Sequence, residues 1–350
     1  MQLEQLLERA LTKKASDLHI TVGIPPIVRI NGELQALSDT NALMPEQVER
    51  ILKEIAKPEQ LADFAKCGEI DFSFTCLKER RFRVNAFKQR SFVALAIRIL
   101  TERVPTLDEF GHPEAVKTLA RKTRGLVLVT GPSGSGKSTT LAAMVNLINE
   151  ERRCHIITLE DPIEYLHAHR SSIVNQREIT IDSRSFASAL RAALREDPDV
   201  ILLGEMRDAE TIATAITAAE TGHLVLATLH TADAAQTIDR IIDAFSPQQQ
   251  AQVRLQLSLT LQGVVAQQLI KRIDESGRIA AFEILIATPA VRNLVREGKT
   301  HQIASAIQTG GKWQMQSMDK ALSDLYRSGK ISESEIGVRV NDPETLLHLR

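Results

Sequence analysis

Residues 131–138 read Gly-Pro-Ser-Gly-Ser-Gly-Lys-Ser, a full match to the phosphate-loop pattern GxxxxGK[ST]. Gly131, Gly134 and Gly136 let backbone N–H groups converge on phosphate oxygens, with Pro132, Ser133 and Ser135 completing the loop. Lys137 has the reach for β- and γ-phosphates, and the Ser138 hydroxyl suits Mg²⁺. A short apolar run, 126–129, precedes the loop, and helix-forming residues follow from Thr139. Strand, glycine loop and helix N-terminus together predict an ATP-binding cradle.

Three further segments point from binding to hydrolysis. Residues 200–203 form an apolar run ending in Gly204-Glu205, where a carboxylate at a strand end can hold Mg²⁺, directly or through water, or polarise the attacking water. Gly204 is expected to leave space near the phosphates. Glu160, Asp161 and Glu164 follow the run 156–159; Glu160 is the candidate to orient or deprotonate water, and Asp161 is read as that or as a turn former before Pro162. His223 and His230 bracket the run 224–229, one to sense the γ-phosphate and the other to transmit its loss across a subunit interface. Neither has companion ligands at zinc spacing. Arginines supplied from elsewhere commonly neutralise transition-state charge in such enzymes. Arg81, Arg83, Arg90 and Arg98 are available, but the run Glu79-Arg80-Arg81-Phe82-Arg83 is too dense for pattern alone to choose one.

The elements that must position these residues can be read in outline. Residues 1–100 suggest an α+β module, with strands near 20–22 and 27–30, a hairpin turn at Asn31-Gly32, a helical stretch over 45–64, and strands over 72–100. Pro105, Gly111 and Pro113 mark 101–113 as a linker. Over 114–270, apolar runs alternate with helical patterns: Phe186, Ala189, Leu190, Ala193 and Leu194 share one face, as do Ile212, Ala215, Ile216 and Ala219. That predicts an α/β core with helices on a largely parallel sheet. Residues 271–350 are expected to be mostly helical.

Composition narrows the function classes. The 350 residues are 43% hydrophobic and 25% charged, enough for two soluble domains. A net charge of −1 and 4% aromatic residues give no basic, stacking surface, so no nucleic-acid partner is expected and a nucleic-acid translocase is the weaker reading. No apolar run nears the roughly 18 residues of a membrane span. The acidic amphipathic start is unlike a signal peptide, and three scattered cysteines (Cys67, Cys76 and Cys154) fit a reducing cytoplasm.

Across nearly its whole length the chain resembles the secretion-superfamily ATPases, and among them the type IV pilus retraction motors. The resemblance runs through Ala15-Ser16-Asp17-Leu18-His19, Gly23-Ile24-Pro25-Pro26, Arg81-Phe82-Arg83-Val84-Asn85, the phosphate loop, and Glu160-Asp161-Pro162-Ile163-Glu164. It continues through Asp197-Pro198-Asp199 to Gly204-Glu205-Met206-Arg207-Asp208, then Thr221-Gly222-His223 to Thr228-Leu229-His230-Thr231. It implies a PAS-like first domain and a RecA-like second domain with ATP between them. It also implies a homo-hexamer, cytoplasmic and peripheral to the inner membrane at the pilus base, acting on a platform protein there, with a paralogous retraction ATPase as a further partner. It gives Glu160 the role of base, puts Glu205 and Ser138 at Mg²⁺, and sends Arg83 and Arg98 to the γ-phosphate. Two features separate retraction from assembly or secretion: residues 267–277 hold none of the four cysteines of the assembly relatives' zinc element, and 290–297 resemble the retraction family's AIRNLIRE helix. In that helix Val291, Leu294 and Val295 are expected to form the apolar stripe, with Arg292, Arg296 and Glu297 facing elsewhere.

Overall fold

The computed structural model describes residues 3–340 except 31, 38–39, 78–79, 101–102 and 275–276. Asn31 of the expected turn, Glu79 of the basic run and the last ten residues of the expected helical region lie outside the described residues. The chain divides into two compact units, Met1–Arg103 and Val104–Arg350. The divide falls inside the expected linker. Residues after it belong to the second unit: Leu107 is buried there, and His112 binds the Leu107 carbonyl.

The first unit runs α1 (Leu3–Thr12), β1 (Asp17–Ile20), β2 (Ile27–Ile30), β3 (Glu33–Ala36), α2 (Pro45–Ile55), α3 (Pro58–Cys67), β4 (Glu69–Cys76), β5 (Arg80–Gln89) and β6 (Phe92–Ile99). Its antiparallel sheet has the order β3-β2-β1-β6-β5-β4. β2 and β3 pair antiparallel, with Ile30 opposite Glu33. The single helix expected over 45–64 is two, because Pro58 cannot continue α2 and instead opens α3. On β5, Phe82, Val84 and Ala86 point into the core, which leaves Arg81, Arg83 and Asn85 on the other face.

The second unit continues with α4 (Glu114–Ala120), β7 (Gly125–Thr130), α5 (Lys137–Glu151), β8 (His155–Glu160), β9 (Ile173–Glu178), α6 (Phe186–Ala193), β10 (Val200–Leu203), α7 (Ala209–Glu220), β11 (Leu224–Leu229), α8 (Ala234–Asp243), α9 (Pro247–Thr260), β12 (Leu261–Lys271) and β13 (Arg278–Ile286). After these come α10 (Pro289–Glu297), α11 (Ile303–Thr309), α12 (Met318–Arg327) and α13 (Glu333–Arg339). The sheet order is β13-β12-β7-β11-β10-β8-β9, parallel except for the β12–β13 pair. β7, β10 and β11 are buried along their whole length, which is why they read as unbroken apolar runs rather than alternations. The expected boundary at residue 270 cuts the β12–β13 hairpin, so the sheet reaches residue 286 before the helical region begins. No helix among the described residues is long and apolar enough to cross a membrane.

Candidate functional site

The phosphate loop joins β7 to α5, so the first turn of α5 points its N–H groups into the loop. A Cβ on Gly131 would collide with Ser135 Oγ and the Gln267 carbonyl, and one on Gly136 would lie 2.9 Å from Gln267 Nε2. Glycine is therefore required at both places by close packing as well as by positive φ. Lys137 is buried, and its Nζ donates to the carbonyls of Gly131 (2.8 Å) and Pro132 (3.0 Å). Burial lowers its pKa, while the charges of Glu205 and Glu164 oppose that shift. Ser135 Oγ is buried with no protein partner, a polar atom suited to a phosphate oxygen.

The loop is braced from β12, which sequence reasoning missed. Gln267 Nε2 donates to the Ser135 carbonyl (2.5 Å), and its Oε1 accepts from Thr140 Oγ1 (2.8 Å). Thr140 in turn meets His112 Nε2 at 2.9 Å. A polar side chain inside an apolar strand run, Val264-Val265-Ala266-Gln267, was the available signal. Beside the loop a cleft of about 550 Å³ is lined by Thr139, Tyr165, Phe110, Arg272, Arg278 and Lys330, among others.

The acids separate by environment. Glu205 follows β10 and is 9% exposed. Its carboxylate pairs with Arg207 (2.6 Å) and lies 3.5 Å from His230 Nε2. A Cβ on Gly204 would come 3.3 Å from the Leu159 carbonyl, so this glycine lets β10 close on the end of β8 rather than opening room for phosphate, as was expected. Glu160 ends β8. Its Oε1 accepts from Thr158 Oγ1 (2.6 Å) and Gln176 Nε2 (3.1 Å). Burial raises its pKa in spite of these donors. These contacts turn Glu160 toward β9. Of the two glutamates, the one whose charge Lys137 feels is Glu164, which is exposed. The sequence contained that acid in the cluster, but spacing alone did not show which of the two is engaged by its neighbours and which is exposed. Next to it, Tyr165 OH meets Thr139 Oγ1 at 2.9 Å.

The two histidines do not meet. His230 leaves the C-terminal end of β11 and joins Glu205. His223 precedes the N-terminal end, where its Nδ1 binds the Ala218 carbonyl (2.9 Å) and its carbonyl accepts Gly125 N–H. Six residues of strand, about 20 Å, lie between them. Bracketing one strand places two residues at opposite edges of the sheet, so His223 is not part of the site assembled around this loop.

Two of the candidate arginines share one face of the first unit's sheet. Arg83 and Arg98 are direct cross-strand partners on β5 and β6. Like charges set opposite each other disfavour a sheet, and Asp17 on β1 offsets this by pairing with Arg98 at 3.1 Å. Arg90 sits in the β5–β6 turn.

In α10, Val291 and Val295 are buried as expected. Arg292 departs from expectation: its guanidinium donates to the carbonyls of Ala287, Ser258 and Leu259, closing the C-terminus of α9. No group of three or more His, Cys, Asp or Glu among the described residues could hold a metal ion. Ser138 and Glu205 are hard oxygen donors, a set that fits Mg²⁺ held mainly by phosphates and water.

Comparison with known proteins extends this picture. The family model for type II/IV secretion system proteins matches residues 1–333. The chain is 48% identical over 344 residues to the type IV pilus retraction ATPase PilT of Pseudomonas aeruginosa, covering 98% of this chain and 99% of that one. It is 43% identical to the type IV pilus ATPase PilU of the same organism, covering 95% and 87%. A crystal structure of the pilus retraction motor PilT with bound ADP superposes with a TM-score of 0.93 at 46% identity, covering 99% of both chains.

Proposed function

The chain belongs to the type II/IV secretion system protein family, and from that premise we propose that it is an ATP-hydrolysing hexameric motor powering type IV pilus retraction. The observation that carries this reading is the end-to-end likeness to a retraction ATPase, in sequence and in fold. The cysteine-free segment 267–277 and the helix α10 support retraction over assembly.

ATP binds with its phosphates in the loop 131–138, Lys137 leaving the Gly131 and Pro132 carbonyls for them, and with its nucleoside toward the cleft beside Thr139 and Tyr165. Ser138 and Glu205 hold Mg²⁺, which when bound neutralises charge on the transferring phosphoryl group. The sequence-based assignment of the base to Glu160 passes in this reading to Glu164, because Glu164 is exposed and its charge acts on Lys137, while Glu160 is engaged by its strand neighbours. His230 orients Glu205, and Arg83 and Arg98 supply positive charge to the γ-phosphate. The motor works at the cytoplasmic face of the inner membrane on the pilus platform protein. The similarity to a second pilus ATPase at 43% identity favours one alternative, an accessory motor acting beside a main one.

The test is deletion of the gene in its host, beside a Glu205→Ala strain, with surface pili counted and twitching scored. Abundant pili with lost motility in both strains is the expected result. Bald cells would overturn the retraction reading, and unchanged pili and motility would favour the accessory role.

A further inference from the structure

Residues 163–167 run back alongside β9 as a strap that belongs to no strand, yet its backbone is bonded at alternate positions. Ile163 N–H donates to Glu178 Oε2 (3.2 Å), the Tyr165 carbonyl accepts from Gln176 Nε2 (2.8 Å), and His167 N–H donates to Gln176 Oε1 (2.8 Å). Two side chains of β9 thus do what a neighbouring backbone would do in a sheet. Within that segment Glu164 is exposed, its charge acting on Lys137, and Tyr165 reaches Thr139 at the start of α5.

Gln176 is the centre of this arrangement. It lies in register with Thr158 on β8, and its second Nε2 hydrogen goes to Glu160 Oε1. Both amide hydrogens and the amide oxygen are therefore used, on two residues of the strap and one at the end of β8. Only an amide of this reach can donate twice and accept once there: a carboxylate donates nothing, a thioether neither donates nor accepts well, and asparagine is one methylene short. Gln176 therefore holds the strap directly, at Tyr165 and His167, and ties it to Glu160 at the end of β8.

We propose that Gln176 is a positioning residue for hydrolysis, clamping the strap so that Glu164 is presented to the phosphates. The inference rests on the reading of Glu164 as the base. Displacing a reacting group by about 1 Å costs on the order of 100-fold in rate, while the phosphate loop itself does not touch Gln176.

The experiment uses the full chain, with steady-state ATP hydrolysis from pH 6 to 8.5 and nucleotide affinity measured by a fluorescent ADP analogue. Gln176→Met should lower kcat roughly 30- to 100-fold with KM for ATP and analogue affinity within about threefold. Gln176→Glu should be as impaired at pH 8 and recover as pH falls, because a protonated carboxyl can again donate to Glu160. That recovery is a signature that a general packing defect would not give, and it stands even if Gln176→Met fails to fold. Glu164→Gln is run alongside. If it hydrolyses ATP like the wild type, the base assignment fails, whatever Gln176 does. If it is inactive but still binds nucleotide, while both Gln176 variants keep wild-type kcat and pH profile, the positioning role is overturned. A loss of nucleotide affinity with unchanged kcat would overturn it equally.

Discussion

The two edges of the seven-stranded sheet are built from the same parallel strands and do different work. At the C-terminal edge, β7, β8, β10 and β11 release the phosphate loop, Glu160 with its strap, Glu205 and His230. At the N-terminal edge the polar residues close on backbone: His155 N–H donates to Asp199, His155 Nδ1 meets the Asp197 carbonyl, and His223 meets the Ala218 carbonyl. Charged groups at the first edge gather around the phosphate loop, with Glu164 and His230 left exposed, whereas those at the second finish turns. Strand direction therefore decides which of two similar side chains is available for chemistry. That rule assigns His223 and His230 where their symmetrical spacing could not.

Breaking the C-terminal edge should be costly in activity and cheap in stability, and the reverse should hold for the other edge. The largest effect is expected from Lys137→Ala, which should reduce ATP hydrolysis by about 1,000-fold or more with an unchanged circular dichroism spectrum. Glu164→Gln should follow at about 100- to 1,000-fold, while Glu160→Gln, which keeps the shape and one acceptor of the strap anchor, should lose about 10-fold. An equal loss in both, or the opposite order, would return the base to Glu160. Next come the histidines. His230→Ala should lower kcat about 10-fold. His223→Ala should leave nucleotide affinity unchanged and cost about 1 kcal/mol in urea unfolding for its lost carbonyl bond. A His223→Ala enzyme that no longer binds nucleotide would break the contrast between the edges.

A further effect, on stability and not on catalysis, concerns pH. Burial, with help from the charge of Arg170, pushes the His167 pKa down to about 4, and its Nδ1 has no partner. The unfolded chain holds that proton more tightly, with a pKa near 6.5. His167 is therefore neutral in both states above about pH 7.5, and stability is lost as pH falls from about 6.5 toward 4, to a limit of about 3 kcal/mol. Buried Glu160 runs the other way, since its raised pKa favours the folded state as acid protonates it. The difference between wild type and His167→Phe isolates the histidine: the wild type should lose more Tm between pH 7.5 and 5 than the variant, by several degrees. Parallel curves would remove His167 as a contributor at this edge.

Much of this was legible in the chain itself. A phosphate loop is local, because its glycines, lysine and serine are consecutive and their spacing is the geometry. The buried strands β7, β10 and β11 announced themselves as apolar runs within a residue of their ends. What was hidden depended on which way a side chain turns or on which distant strand lies beside it. Glu160 and Glu164 are both acids after one strand, and only the bonds from Thr158 and Gln176 show that the first faces β9. Gln267 is 132 positions from the Ser135 carbonyl it binds, and nothing in local pattern joins them. β13 was passed over because Arg278-Ile279-Ala280-Ala281-Phe282-Glu283 reads equally well as helix until β12 is placed beside it.

The brace from Gln267 also has a mechanical meaning. Three positions along β12, on its opposite face, Ile270 is buried with Met318 of α12, Leu322 of α12 and Ile331. About 10 Å of one strand separates the phosphate loop's support from the C-terminal helices, and no flexible connection intervenes. One strand thus carries on one face the prop of the phosphate loop and on the other the seat of the C-terminal helices, so the spacing between the two is set by the strand itself.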